Sequence, residues 1–348
     1  MATTDRETDI QRGDDLASRI RSADMVAMST SESAEAIAAT GLLVGALQAI
    51  EHPFHVRVGR LPTVTYVDRL TTVSVGEADP TADIVFPAPV IDDVCGLVHD
   101  LDQTPDSTLT AVSRISWGVP HTLSDQRTPG IGLVEELPDG LAHSTLVHGP
   151  WSSEANEITH EQNDRDLASE VVLETLAASP CQRRTGEALK QAVNPVPLEE
   201  GPFSTIEGYA DILGVLTDVD PGLALALVCG QLDRREEALS TWRSAAQAIH
   251  KAIQDGPATQ HDEIAVYRDV EAAPAMLARL AQQFSVNAET VIAIADGSVG
   301  VAGSPATIET VSTIDAIESP VRQRPTLLSG AVSGSPDAIE TAVTEVAV

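Results

Sequence analysis

The chain has 348 residues, enough for about two domains at roughly 150 residues each. Its 52 Asp and Glu residues against 21 Lys and Arg give a formal net charge of −31, and the only lysines are Lys190 and Lys251. Such a charge makes a compact domain repel itself in dilute buffer, whereas concentrated salt shortens the Debye length to about 3 Å. The composition predicts a halophilic protein, and its 43% hydrophobic residues exclude an acidic disordered chain.

The sequence carries no segment that predicts a membrane protein. No apolar run reaches the roughly 18 residues that a spanning helix needs, and no signal peptide opens the chain. The cysteines Cys95, Cys181 and Cys229 match no metal-binding spacing and are predicted to be buried thiols in a reducing compartment. We therefore expect a cytoplasmic protein that does not contact membranes.

The N-terminal part alternates between strand and helix patterns. Helix 14–23, strand 25–28, helix 34–50 and strand 55–58 form a β-α-β unit, which usually means a parallel sheet. The same part is predicted to continue with strands at 72–75 and 84–86, a helix at 92–101, a turn-rich break at 104–109 and a strand at 141–147.

The remaining chain is helical at first and mixed at its end. The predicted helices of this stretch are 163–178, 181–193, one near Tyr209, 221–229 and 236–253. A helix at 273–284 precedes strands 291–295 and 298–302, which flank Asp296-Gly297, the best hairpin signal in the sequence. Alternation continues to about residue 317, and a helix closes the chain at 336–346.

A polar turn at 29–35 lies where ligand sites of open α/β sheets occur, after a strand and before a helix. It lacks the glycines of a phosphate or dinucleotide loop. Glu32 and Glu35 are candidate metal ligands in this turn. The alternative is that they are first-turn acids favoured by the helix dipole.

Two further groups contain possible ligands. Asp92, Asp93 and His99 are residue types that bind hard metals, and the alternative for them is a solvated acidic face. His148 precedes Gly-Pro and is a candidate ligand contact, with a hydrogen-bonded structural histidine as the alternative. Because His143 is separated from it by an odd spacing, the two would point to opposite faces of a strand.

Arginines are scarce, and two of them stand together near the C-terminus. Arg322 and Arg324, between Pro320 and Pro325, could hold a phosphate, with a salt bridge in a loop as the alternative. Any phosphate contact would have to persist in high salt, where counterion release contributes little.

Segments 146–152, 201–213 and 222–230 together resemble the archaeal RecJ-like branch of the DHH phosphoesterase family. The resemblance implies an α/β fold with a DHH-like parallel-sheet domain at 1–154, a helical linker region at 155–258 and a small DHH-associated-like α+β domain at 259–348. It also implies a metal-dependent phosphodiesterase, and the family includes single-strand exonucleases. In these enzymes Mn²⁺ or Mg²⁺ activates a water molecule.

The chain departs from the motifs of that family. Where the family has His-x-Asp-x-Asp-Gly, Ser31 stands at the histidine, Ser33 at the first aspartate and Glu35 at the second. Pro87-Ala88-Pro89 follows the strand that should lead into Asp-His-His, and the Gly-Gly-His motif is also absent. We therefore expect no catalytic residues and no metal cofactor.

Three functions remain open. The first is an inactive scaffold or binding subunit in DNA replication or repair, which contacts single-stranded nucleic acid through Arg322, Arg324 and His148 and binds replication or repair proteins. The second is an active single-strand exonuclease that holds Mn²⁺ or Mg²⁺ with relocated ligands, namely Glu32, Glu35, Asp83, Asp92, Asp93 and His99. The third is a protein-interaction module without nucleic-acid contact, because the sequence has no basic stripe interleaved with aromatics.

Overall fold

A computed structural model describes residues 15–347 apart from 62–68, 77–78, 120–122, 124–125, 136–137, 153–163, 181, 200, 262, 272, 316 and 334, and apart from the side chains of 318–324 and 346–347. The chain forms two compact units. Unit 1 comprises Met1–Thr122 and Asp220–Arg235, and unit 2 comprises Leu123–Val219 and Glu236–Val348.

Helices and strands are mixed up to residue 86 and again from residue 259, and the described elements between these two stretches are helices. The helices are α1 (15–22), α2 (Ala34–Ala49), α3 (Ile91–Asp100), α4 (Ser107–Trp117), α5 (Asp139–His143), α6 (Asp164–Ala178), α7 (Gln182–Ala192), α8 (Ile206–Val219), α9 (Pro221–Val228), α10 (Arg235–Asp255), α11 (Pro274–Phe284), α12 (Pro305–Val311) and α13 (Pro336–Ala347). The strands are β1 (Met25–Thr30), β2 (Phe54–Val58), β3 (Leu70–Val75), β4 (Ile84–Phe86), β5 (Thr259–Gln260), β6 (Ile264–Val270), β7 (Thr290–Ala295), β8 (Ser298–Ala302), β9 (Ile317–Arg324) and β10 (Leu327–Val332).

Unit 1 is built on a four-stranded parallel sheet in the order β2-β1-β3-β4. Its central helix α2 is apolar around most of its circumference, and 13 of its residues are buried, because other helices pack against it. Gly41 lets α9 approach, since an added Cβ would lie 2.9 Å from the Val228 carbonyl oxygen. The predicted parallel sheet is confirmed.

Unit 2 contains a six-stranded sheet in the order β5-β6-β7-β8-β10-β9. Strands β6 and β7 are parallel, whereas the other neighbouring pairs are antiparallel. The predicted hairpin joins β7 to β8, with Gly297 at φ 73° in its turn. Helix α11 lies close to β8, where a Cβ on Gly300 would stand 2.2 Å from the Ala275 nitrogen. The expected mixed α/β class is confirmed.

Three local predictions were wrong. Segment 141–147 was expected to be a strand, but α5 covers its first residues, because a short apolar run also fits a single helical turn. The break predicted at 104–109 contains the start of α4, whose N-cap Asp106 accepts a hydrogen bond from the Leu109 nitrogen at 2.8 Å. Helix α12 occupies part of the stretch that was expected to alternate up to residue 317.

None of the helices in the described ranges is both long and apolar enough to cross a membrane. The division into domains at 1–154, 155–258 and 259–348 stays a prediction. Unit 1 takes its last helix, α9, from beyond residue 219, so one compact unit draws on two separate stretches of the sequence.

Candidate functional site

The carboxyl edge of the parallel sheet in unit 1 begins with the turn from β1 to α2. The Ser31 nitrogen donates to the Val75 carbonyl at 2.9 Å, which fastens the turn to the end of β3. The Ser33 hydroxyl caps α2 by accepting from the Ala36 nitrogen at 3.2 Å, and it lies 3.4 Å from the Ser31 hydroxyl. The Ser31 nitrogen and the Ser33 hydroxyl therefore stabilise the backbone of this turn.

Glu35 is the one carboxylate that the sequence keeps in this motif, and it is 0% exposed. Its Oε1 accepts a hydrogen bond from the Val90 nitrogen at 2.6 Å, in the loop that precedes α3. Its carbonyl oxygen accepts from the Ser113 hydroxyl of α4 at 3.0 Å. Glu35 thus joins α2 to the loop before α3 and to α4.

The next turn at this edge is closed by a glycine. Gly76 follows β3 with φ 71°, and a Cβ there would stand 2.2 Å from the Ser31 hydroxyl oxygen and 2.9 Å from the Ala36 Cβ. Beyond β4, Pro87-Ala88-Pro89 completes the edge. Apart from Glu35, hydroxyls and prolines thus occupy the positions where the resemblance would place metal ligands.

The relocated ligands proposed from the sequence lie apart. Asp83 directly precedes β4, at the opposite edge of the sheet, where it accepts from the Thr72 nitrogen and hydroxyl at 2.9 Å each and pairs with Arg19. Glu32 is exposed in the β1–α2 turn.

The acids of α3 are surface residues. Asp92 and Asp93 lie in its first turn, and Asp92 pairs with Arg114 of α4. His99 stands in the last turn, about 10 Å further along the axis by the rise of a helix. In the part of the chain that the structure describes, no three His, Cys, Asp or Glu side chains form a group that could hold a metal ion. These donors do not fit a two-metal centre.

His148 lies in unit 2, after α5, in irregular backbone and not on a strand. Its Nδ1 is 3.0 Å from Nδ1 of His250 on α10, and the two rings stack with centroids 5.2 Å apart. The His250 Nε2 lies 3.1 Å from the Ser144 carbonyl oxygen. Because that carbonyl can only accept, we assign the His250 proton to Nε2, and His148 then donates from Nδ1 to the bare Nδ1 of His250.

Burial keeps both imidazoles uncharged. It lowers the pKa of His148 to about 4, and it lowers the pKa of His250 to about 3 with a smaller contribution from His148. A neutral imidazole offers no charge to a phosphate. The predicted contact between His148 and nucleic acid therefore has no electrostatic support at neutral pH.

Next to this pair lies a buried polar network that the sequence reasoning missed. Thr145 donates from its nitrogen to Asp211 Oδ2 at 3.0 Å and from its hydroxyl to Asp211 Oδ1, and its carbonyl accepts from Arg279 at 3.0 Å. Burial raises the pKa of Asp211 to about 6, against the lowering effects of Thr145 and Arg279. The one sign of this network in the sequence was an acidic residue, Asp211, within the apolar segment 209–213.

Arg322 and Arg324 belong to β9, opposite Ser329 and Leu327 of β10. The alternative of a salt bridge in a loop was wrong about the loop, because β9 is the edge strand of its sheet and an edge strand tolerates prolines. The orientation of their side chains lies outside the described part of the molecule, so their phosphate contact stays a prediction.

Solved structures that share the fold of this chain include one of RecJ and one of CDC45. RecJ from Thermus thermophilus in complex with Mn²⁺ has a TM-score of 0.51 at 13% identity, over 97% of this chain and 54% of that one. The chain thus spans about half the length of that RecJ. CDC45 from Entamoeba histolytica has a TM-score of 0.54 at 8% identity, over 98% of both chains. The resemblance to RecJ-like proteins is confirmed at the level of the fold.

The sequence comparison gives a nearer relative. No family model matches the chain. The uncharacterized protein rrnAC1427 of Haloarcula marismortui is 31% identical over 323 residues, which cover 85% of each chain. This degree of identity over most of both lengths shows common descent, and the chain belongs to the same family as the Haloarcula protein.

Proposed function

We propose that this protein is a RecJ-fold scaffold without a hydrolytic centre, which acts as a binding subunit in DNA replication or repair. The fold shared with RecJ and CDC45 supports the link to DNA. The observation that carries the proposed loss of activity is the position of Glu35, buried against the Val90 nitrogen. The acidic composition and the haloarchaeal relative support a cytoplasm with high salt as its location.

As a metal ligand, Glu35 would lose its hydrogen bond from the Val90 nitrogen. Two divalent cations need several fixed carboxylates or imidazoles, and the described carboxyl edge offers only this one in a buried position. Turning Glu35 toward a cation would leave the Val90 nitrogen without its acceptor, at a cost of about 1–3 kcal/mol. The side chain is therefore better suited to structure than to catalysis.

The test is a nuclease assay on purified protein in multi-molar KCl with Mn²⁺ or Mg²⁺ and end-labelled single strands. We expect no shortening of the labelled strand. Glu35→Gln should fold and behave like the parent, because an amide oxygen can still accept from the Val90 nitrogen. Processive shortening by the parent that Glu35→Gln abolishes would show that the carboxylate binds a cation, and the proposal would be wrong.

A specific observation also favours a protein-interaction module without nucleic-acid contact. Several arginines of the described surface are paired with acids. This pairing reduces the positive charge available to the phosphate backbone of a nucleic acid. The pairs are Arg19–Asp83, Arg21–Asp102, Arg69–Asp24, Arg114–Asp92, Arg243–Asp139 and Arg268–Asp337.

Fluorescence anisotropy with labelled single strands separates the two functions. If the scaffold binds nucleic acid through β9, the double variant Arg322→Ala and Arg324→Ala should bind the strand more weakly. Its binding should also depend less on salt, because about two fewer counterions are released when the complex forms. Lys190→Ala is a matched control, since Lys190 is already paired with Glu187. An absence of binding by the parent at every salt concentration would favour the interaction module.

A further inference from the structure

Three helices of unit 2 hold the short segment 144–152. The Ser144 carbonyl accepts from His250 of α10, the Thr145 nitrogen donates to Asp211 of α8, and the Thr145 carbonyl accepts from Arg279 of α11. One turn further along α10, the Gln254 side-chain amide donates to the carbonyl of Ser152 at 3.1 Å. Ionisable side chains thus bind consecutive peptide groups at the start of the segment.

The contact between His148 and His250 depends on how many protons the pair carries. The Nδ1 atoms lie 3.0 Å apart, so one of them must donate and the other must accept. A second proton on the His250 ring would place N–H groups on both facing nitrogens. Two donors cannot share a hydrogen bond, and two stacked imidazolium rings would also repel each other.

The charged groups on neighbouring elements are engaged in other contacts. Asp139 of α5 pairs with Arg243 of α10 and lies 3.2 Å from His143 Nδ1. Asp211 of α8 accepts two hydrogen bonds from Thr145, and Arg279 of α11 donates to the carbonyl of the same residue. Each of these groups already has a partner, so an imidazolium would gain a counterion only by disrupting one of these contacts.

We propose that the His148–His250 contact is an acid-operated latch, which fastens segment 144–152 to α10 while both rings are uncharged and releases the segment when both are protonated. The lowered pKa values, about 4 for His148 and about 3 for His250, keep it closed throughout the neutral range. Asp211, whose burial raises its pKa to about 6, takes up its proton before the latch opens. The inference rests on unit 2 alone and is independent of the proposed role in DNA metabolism.

Hydrogen exchange of the full chain in multi-molar KCl tests the latch from about pH 6.5, the pKa of a free imidazole, to about pH 3. After correction for intrinsic exchange rates, we expect the amides of 144–152 to exchange about tenfold faster or more in acid. Amides of the β7–β8 hairpin, in the same unit, should change far less. His148→Gln keeps a donor for His250 but cannot be protonated, so this variant should lose the acid response.

His143→Gln is the matched control, because His143 lies nearby but outside the pair. It should keep the full acid response. The proposal is wrong if segment 144–152 and the hairpin accelerate together, if neither accelerates, or if His148→Gln responds like the parent. If either variant does not fold, the chemical shifts of the histidine ring nitrogens in the parent protein test the proposal instead. The pair should stay neutral above about pH 5, with the His148 proton on Nδ1, and a charged ring at that pH contradicts the latch.

Discussion

Units 1 and 2 use their buried polar side chains in different ways. In unit 1, the sheet edge where the resemblance predicts catalysis is held by the Ser33 hydroxyl, which accepts from the Ala36 nitrogen, and by Glu35, which accepts from the Val90 nitrogen. In unit 2, ionisable residues from α8, α10 and α11 converge on Ser144 and Thr145. Among the described residues, the buried network of ionisable side chains is therefore in unit 2, whereas Glu35 is the one buried carboxylate at the carboxyl edge of the sheet in unit 1.

Removing Asp211 should have the largest effect. Asp211→Ala leaves the Thr145 nitrogen and hydroxyl without acceptors and takes a counterion from Arg279, so we expect a loss of about 3–5 kcal/mol in the free energy of unfolding. Denaturant titration in high salt measures it. The control is Asp337→Ala, an exposed partner of Arg268, which should lose about 1 kcal/mol or less. Equal losses for the two variants would remove the contrast between a buried network and the surface.

Acid should destabilise unit 2 more than unit 1. Below pH 6.5 the unfolded chain protonates His148, whereas the folded chain resists until about pH 4, so stability falls across that window by roughly 3 kcal/mol for this residue. His250 acts in the same direction down to about pH 3. Asp211 opposes both, because its folded pKa of about 6 lies above its ordinary 3.8 and returns stability as the pH falls between these values.

Hydrogen exchange followed separately in the two units as the pH falls checks this prediction. Exchange protection of α2 reports unit 1, and that of α10, which carries His250, reports unit 2. We expect α10 to lose protection at a higher pH than α2. If α2 loses its protection at the higher pH, the buried titratable groups of unit 2 do not govern the acid sensitivity of the protein.

Helix α2 contains two glycines in different surroundings, one packed against α9 and one without close neighbours, which form a matched pair for substitution. Gly41→Ala should destabilise unit 1 by about 1–3 kcal/mol, because the new methyl meets Val228 backbone and side chain at 2.9 Å. Gly45→Ala, with nothing within 4 Å of its added Cβ, should stabilise the helix by about 0.5–1 kcal/mol. Opposite signs in urea melts would confirm that close packing holds unit 1, and the same sign for both would contradict it.

The smallest expected effect is at the surface. Lys190 and Glu187 form an exposed pair on α7 at 2.8 Å, and the hydrogen bond from Lys190 lowers the pKa of Glu187. Lys190→Ala should leave the midpoint of unfolding in urea almost unchanged, and the remaining effect should be smaller still in high salt. A loss as large as that of Asp211→Ala would mean that surface pairs matter as much as the buried network.

The sequence by itself determined the elements whose signals are local. The β-α-β pattern predicted β1, α2 and β2, and Asp296-Gly297 predicted the β7–β8 hairpin, because periodicity and turn chemistry act between neighbouring residues. The departures of Ser31 and Ser33 from the DHH-family motif that the resemblance suggests could likewise be read without a structure. Local signals failed at α4 and α5, where short runs fit more than one conformation.

Only the tertiary structure decided which polar side chains meet. Thr145 is 66 residues from Asp211 and 134 from Arg279, and His148 is 102 residues from His250. Contacts at such separations follow from the packing of helices and leave no periodic trace in the chain. For the same reason, the sequence could name Glu35 as a candidate ligand, but only the fold showed that its carboxylate faces the Val90 nitrogen.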